Sequence, residues 1–304
     1  MMLKMVPKLT QVGMRSCSLT TFTPHHQRRM SHVHATAKQG FGLNSNSYDA
    51  HRPRYSDEAI DEIIKSIPNK PARVLEIGSG TGIFTRALLE RTSGNEIEAL
   101  TAAEPSEGMR KTCAESLTDE LVKGRDVKVV DGTFEHIDAE DNSFHLIAIA
   151  QAYHWCGDYD NSLRELHRVL KPNGKLALTW NVENAVNRNW VGSARDIYEK
   201  YDTGTPQYRL GKWKQLYDTE AFQSLFKATE YNKYLRYLPL SLQGYKDRQA
   251  TKSFINILPA DEKQRLLDTL ADHIAAQPDV DWIDKHKRTF YIPYSTDLYI
   301  LHLK

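Results

Sequence analysis

The sequence predicts an α/β chain built on a largely parallel sheet, and three observations carry that expectation. A short apolar run, Val74-Leu75-Glu76-Ile77, breaks into alternating glycines at Gly78, Gly80 and Gly82. Apolar residues then resume at helical spacing with Ile83, Phe84, Ala87, Leu88 and Leu89, the pattern of a buried strand, a tight loop and an amphipathic helix. Downstream, apolar runs short enough for strands alternate with segments of helical period, which implies parallel strands joined by right-handed crossovers. With 304 residues, 40 % hydrophobic and 26 % charged, the chain has the composition of an ordinary globular protein of one large or two small domains.

Taken in order, the first stretch, residues 1–46, stands apart. It carries Lys4, Lys8, Arg15, Arg28, Arg29 and Lys38, many Ser and Thr, and no acid before Asp49. That bias is the signature of a mitochondrial transit peptide. A plain tail, or upstream sequence before a later start at Met30, is the alternative, with a cytoplasmic protein as the outcome. His25, His26, His32 and His34 raise the question of a metal, but a tail seldom closes a coordination shell, and no metal is expected. The remaining residues, 47–304, form the expected main domain, with a core at 70–181 and a cap and last strands at 182–304.

Tyr48-Asp49-Ala50-His51-Arg52-Pro53-Arg54-Tyr55 precedes a helix over 58–67 with Ile60, Ile63 and Ile64 on one face. The first strand and glycine loop follow, and their helix stops near Ser93-Gly94. Strand two, 97–103, ends at Glu104. One helix is expected over 107–122, where Met109, Cys113, Leu117 and Leu121 recur every four residues. Residues 127–130 and 144–150 read as strands three and four, and 162–170 as a helix. Pro172-Asn173-Gly174 turns the chain into strand five, 175–180. From 182 to 282 the pattern is mostly helical and rich in aromatics, which serve either as core or as pocket walls.

Glycines at the carboxyl end of a first strand let a ligand lie against the backbone. The spacing is G-x-G-x-G, with Ile83 where a dinucleotide oxidoreductase has its third glycine. About twenty residues on, an acid is expected on a ribose, and Glu104 stands there. Together these residues resemble class I S-adenosylmethionine-dependent methyltransferases. Glu76 to Gly82 and Glu104-Pro105-Ser106 look like the first two motifs, and Val130-Asp131-Gly132-Thr133-Phe134-Glu135 like the third. Ala150-Gln151-Ala152-Tyr153-His154-Trp155 and Leu166 to Lys175 fit the fourth and fifth. The Gln-Ala-x-His-Trp form is most similar to the small-molecule, trans-aconitate-methyltransferase-like subgroup.

That resemblance implies a Rossmann-like, seven-stranded sheet in the order 3-2-1-4-5-7-6, the last strand antiparallel, with helices on both faces and a helical cap. Residues 229–237 and 296–303 are the candidates for its last two strands. It also implies S-adenosylmethionine as cofactor, with Glu76 near the methionine ammonium, Glu104 on the ribose hydroxyls and Thr133-Phe134 at the adenine. Gly78, Ser79, Gly80, Thr81, Gly82, Pro105, Met109, Gly132 and Gln151 complete the expected cofactor set. His154, facing the transferable methyl, is either a general base or a residue that only orients substrate or loop. Tyr153, Trp155, Arg52 and Tyr55 are expected around the substrate, and Arg52 or Arg54 meets either the methionine carboxylate or an acidic acceptor. One departure is His145, where the family usually has Asp.

The expected reaction is transfer to an O or N nucleophile of a small, possibly carboxylic molecule. A non-catalytic assembly or regulatory protein on the same fold is the alternative. The net charge of +1 gives no electrostatic footprint for nucleic acid, no run spans a membrane, and a monomer or weak homodimer is expected. Cys17, Cys113 and Cys156 form no disulfide framework.

Overall fold

The computed structural model describes residues 45–304 apart from 187 and 203, with the side chain of Asn46 also left undescribed. Residues 1–44, including the basic stretch and its histidines, lie outside the described residues.

Eight strands form one sheet in the order β3-β2-β1-β4-β5-β8-β6, with β7 paired to β8. They are β1 (Ala72–Ile77), β2 (Ile97–Ala103), β3 (Asp126–Val130), β4 (Phe144–Ala150), β5 (Leu170–Glu183), β6 (Phe226–Ser241), β7 (Asp281–Asp284) and β8 (Thr289–Leu303). The first five pair parallel, while β8 runs antiparallel to β5 and β6. The expected order is therefore present, with a short eighth strand, β7, that the seven-stranded expectation lacks. Both late strands are also longer than expected, because β6 and β8 continue past the core to carry the cap.

The parallel strands are buried on both faces, which is why they read as unbroken apolar runs. Alternate residues face opposite sides. Leu75, Ile77, Ile147, Ile149, Leu176 and Leu178 pack with Leu163 and Leu166 of α6 (Tyr159–Val169). Val74, Leu100, Leu146, Ala148 and Ala177 pack on the other side, with Ile60 and Ile63 of α2 (Asp57–Ser66) and Phe84 and Leu88 of α3 (Ile83–Glu90). Helix α2 starts where the Ser56 hydroxyl accepts from the Ala59 N–H at 3.1 Å, satisfying one orphan donor of its first turn.

The single helix expected over 107–122 is two, α4 (Glu107–Glu115) and α5 (Asp119–Val122). Thr118 restarts the chain by accepting from the Leu121 N–H at 3.3 Å, a local cap that a four-residue apolar period does not reveal. Strand β5 begins earlier than expected, at Leu170. Its turn survives as an irregularity near Asn173, which takes φ +68°.

The cap consists of α7 (Asn189–Tyr198), α8 (Glu220–Leu225), α9 (Leu242–Ala250), α10 (Ser253–Asn256), α11 (Ala260–Ala276) and three short 3₁₀ turns at 199–218. It has its own core of Trp190, Tyr245, Leu270, Ile274, Phe290 and Ile292. A first short helix, α1 (Ser45–His51), bridges cap and sheet. Asp49 accepts from Thr81 Oγ1 at 2.7 Å and from Arg86 at 2.6 Å. On the other side, Arg248 of α9 donates to the His51 carbonyl at 3.2 Å. Among the described residues no helix is long and apolar enough to cross a membrane.

Candidate active site

The strand order reverses between β1 and β4, and ligands in open α/β sheets bind outside the carboxyl ends of strands at such a point. A cleft opens there, with about 1090 Å³ of empty space counted to its open mouth. The loops after β1, β2, β3 and β4 supply its lining, and Tyr48, Arg52 and Tyr55 cover it.

The glycine loop shapes the floor. Gly78 has φ +74°, and a Cβ there would lie 2.5 Å from the Ala152 Cβ, so neither the conformation nor the space admits a side chain. Gly82 differs in role. It does not line the cleft; a Cβ there would meet Cys113 Sγ at 2.9 Å, so it lets α3 pack on α4. Its assignment as a cofactor contact is corrected to a packing position.

Glu76 ends β1 almost fully buried, at 1 % exposure. Its Oε2 accepts from Thr85 Oγ1 at 2.6 Å, while Oε1 is buried without a hydrogen-bond partner among the described residues. Burial pushes its carboxyl up to about 8, against the Thr85 bond that favours the charged form. Such an orphaned acceptor beside a cleft is costly unless a cation meets it, and an α-ammonium fits that need. Glu104 accepts from the Gly80 N–H at 3.0 Å and the Ser106 N–H at 2.8 Å. Burial raises its pKa, partly offset by those two bonds. Each of its oxygens keeps a lone pair for a ligand hydroxyl.

Ser79, Gly80, Thr81, Pro105, Met109, Gly132, Thr133, Phe134 and Gln151 all line the same cleft. The Thr133 hydroxyl is buried and without a partner among the described residues. Gln151 leaves β4 with φ +57°. Its amide exchanges two bonds with the Asn181 backbone, at 3.1 and 2.9 Å, which tie the ends of β4 and β5 together.

A second chamber adjoins the first and shares Tyr48, Arg52, Pro53, Gln151, Trp155 and Asn181 with it. It lies under the cap, and His154 is in its wall. His154 Nδ1 accepts the Trp180 indole N–H at 3.1 Å, so in the neutral ring Nε2 carries the proton. Burial, reinforced by the Arg52 charge, drives its pKa down to about 3. At neutral pH His154 is therefore a hydrogen-bond donor at Nε2, which favours the orienting role over the general base.

Tyr153 requires a correction. It is fully buried, with its hydroxyl 3.2 Å from Ser162 Oγ and its ring edge-on to Phe134 at 5.4 Å. The 3₁₀ turn at Tyr153–Trp155 points it into the core, where it supports Phe134 from behind and leaves the pocket wall to Trp155. Tyr55, expected around the substrate, is corrected to the cofactor cleft: it lines that cleft and not the second chamber, edge-on to Phe84 at 5.3 Å. Arg52 lines both cavities, whereas Arg54 pairs with Glu90 on the surface. His145 accepts from the Arg73 N–H at 3.0 Å, at the opposite end of the strands from the cleft, so this departure leaves the cofactor geometry untouched.

Sequence reasoning missed Asp49, Asn181, Glu183, Arg195, Tyr208 and Lys252. Asp49 was within reach, since it stands beside Tyr48. The others come from β5 and the cap and carry no local motif.

The fold and the cleft define a class I S-adenosylmethionine-dependent methyltransferase. A family model described as "Methyltransferase domain" matches residues 75–178. An uncharacterized methyltransferase of Schizosaccharomyces pombe, C25B8.09, is 30 % identical over 262 residues, covering 82 % of this chain and 93 % of its own length. The uncharacterized methyltransferase Rv3342 of Mycobacterium tuberculosis is 29 % identical over 238 residues, 78 % of this chain and 86 % of its own. The chain belongs to this methyltransferase family. Among solved structures, a putative type II methyltransferase from Anaeromyxobacter dehalogenans superposes with TM-score 0.58 at 18 % identity, covering 82 % of this chain and 97 % of that one, which bears on fold alone.

Proposed function

We propose that the enzyme holds S-adenosylmethionine in the cleft above Gly78 and Gly80 and methylates an O or N nucleophile of a small, carboxylic molecule in the adjoining chamber. The observation that carries the cofactor half is the buried Glu76 Oε1 beside the glycine loop, without a partner among the described residues, with Glu104 24 residues beyond Gly80 (104 − 80). The cofactor supplies an activated methyl, so the protein's share is alignment and exclusion of water. Glu76 would meet the ammonium, Glu104 the ribose hydroxyls, and Thr133 and Phe134 the base. Bound there, the cofactor would offer its sulfonium methyl to the acceptor's lone pair, with the carbon–sulfur pair returning to a neutral thioether and any acceptor proton leaving to solvent.

Arg52 and Trp155 line both cavities and so border the place where they meet, while His154 stands in the wall of the second chamber, where its Nε2–H would orient the acceptor by donating a hydrogen bond. The test is incubation of the purified protein with methyl-labelled cofactor and a metabolite extract. A labelled small-molecule product is expected; cofactor binding with no labelled product from any extract would overturn the acceptor half. For the cell, we propose mitochondrial import through residues 1–46, supported by their basic, acid-poor composition. A full-length fluorescent fusion that stays cytosolic would refute it.

A further inference from the structure

The acceptor chamber is not evenly charged. Its wall carries four cations, Arg52, Arg195, Arg209 and Lys252, against three acids, Glu183, Glu199 and Asp202. Glu199 is taken by Arg209 and Arg195, which leaves Arg52 and Lys252 beside the buried Glu183 at the end of β5. Glu183 is already served by neutral donors: Gln249 Nε2 at 3.1 Å, Tyr294 OH at 3.1 Å and Tyr198 OH at 3.2 Å. Lys252 Nζ stands 3.7 Å from Glu183 Oε1, beyond hydrogen-bond length, and 4.7 Å from the Tyr198 ring centre. Burial, with the Arg52, Arg195 and Arg248 charges, pulls the Lys252 ammonium down to about 8 against the nearby Glu183 carboxylate. It is mostly charged at neutral pH, and its N–H groups are consumed by neither the anion nor the ring face. Arg52 has a buried Nε without a partner among the described residues. Arg248, behind the wall, leaves NH1 in the same condition. The surplus is cationic, and an anion entering the chamber would relieve it.

Position adds a second constraint. Arg52 lines both cavities, while Lys252 lines only the acceptor chamber. An anion on Lys252 therefore lies on the side away from the cofactor cleft.

We propose that Lys252 is the specificity-determining residue of the acceptor chamber: it anchors a carboxylate of the acceptor, and the methyl is transferred to a different atom of the same molecule. This rests on the reading of the chamber as the acceptor site. The product consequently keeps a free carboxylate, and acceptors of the same shape that lack one are rejected. Arg52, at the junction, faces the nucleophile's end.

The probes are acetate, benzoate, malonate and succinate, each against its uncharged amide, titrated calorimetrically into the full chain saturated with S-adenosylhomocysteine. At least one acid is expected to bind more tightly than its amide. Lys252→Met should weaken that acid at least about tenfold with unchanged affinity for the cofactor product, and Lys252→Arg should restore most of it. Labelled product from the metabolite extract should couple to an amine through a carbodiimide, as a free carboxylate does. Acids binding no better than amides in the wild type, a result that needs no variant to fold, would overturn the proposal. So would full acid affinity in Lys252→Met, or a labelled product with no carboxylate to couple. Failure of the wild type to bind S-adenosylhomocysteine would instead strike the cofactor reading.

Discussion

At the scale of single residues, two acids define the cofactor cleft by opposite means. Glu104 accepts one backbone N–H on each oxygen and keeps a lone pair on each for the cleft, so Glu104→Ala should cost about 1.5–3 kcal/mol of cofactor affinity, roughly ten- to a hundredfold by calorimetry. Glu76 is buried and protonated in much of the population at neutral pH, because burial raises its carboxyl from 4.5 to about 8. A raised folded-state value means the native state holds a proton that the unfolded chain releases. Stability from this group is fully present below pH 4.5 and is lost as pH rises through about 8. The melting temperature of Glu76→Gln relative to wild type should therefore climb across that window; a flat difference would contradict the assignment. A cofactor ammonium would favour the ionised form, so binding near neutral pH should release protons, read as a dependence of binding heat on buffer ionisation. For His154, the raised barrier to protonation removes any acid limb near pH 6.5 that belongs to this ring, and His154→Gln, which keeps a donor, should affect the acceptor's Michaelis constant more than turnover.

At the scale of elements, the loop between β1 and α3 does two jobs with one spacing. Gly78→Ala should cost about 2 kcal/mol or more in stability and abolish cofactor binding, because a left-handed residue gains a Cβ that collides with Ala152. Gly82→Ala should destabilise without entering the cleft, and Cys113→Ala in the same chain should recover part of the loss by making room. If Cys113→Ala recovers nothing, the contact at 2.9 Å is not what forbids a side chain there. These elements were legible in the sequence because each is specified locally: β1, β2 and β4 by unbroken apolar runs, the loop by its glycines. The break between α4 and α5 was not, since one Thr118 hydroxyl outweighs a regular apolar spacing. Tyr153 was misjudged for a similar reason. Its neighbours His154 and Trp155 do line the chamber, and only the 3₁₀ turn decides which of the three turns inward.

At the scale of the molecule, the sheet order could be anticipated but the second chamber under the cap could not. His154, Glu183, Tyr208 and Lys252 share one wall, yet nearly a hundred residues separate the first from the last. Nothing in their local sequence marks them, because their juxtaposition depends on the cap folding back over β5 and β8. The described domain begins at α1, which is tied to the sheet through Asp49 and to α9 through His51. A chain starting at Gly40 should accordingly keep its melting temperature and cofactor affinity; unfolding or aggregation would make the preceding residues part of the fold. Asp49→Ala removes a partly buried ion pair and the bond from Thr81, so it should cost about 1–3 kcal/mol of stability, and the cofactor should dissociate faster from beneath a loosened α1.

The wall common to the two cavities also sets how their occupants address one another. Tyr48, Arg52, Pro53, Gln151, Trp155 and Asn181 belong to both, so a molecule in one cavity forms part of the other's boundary. Each ligand should then change the other's affinity by the same factor, as heterotropic linkage requires. S-adenosylhomocysteine completes that boundary as well as its methylated parent does but has nothing to donate. Excess acceptor should therefore trap the enzyme with spent cofactor in a dead-end ternary complex, and the enzyme would slow itself as its product pool rises.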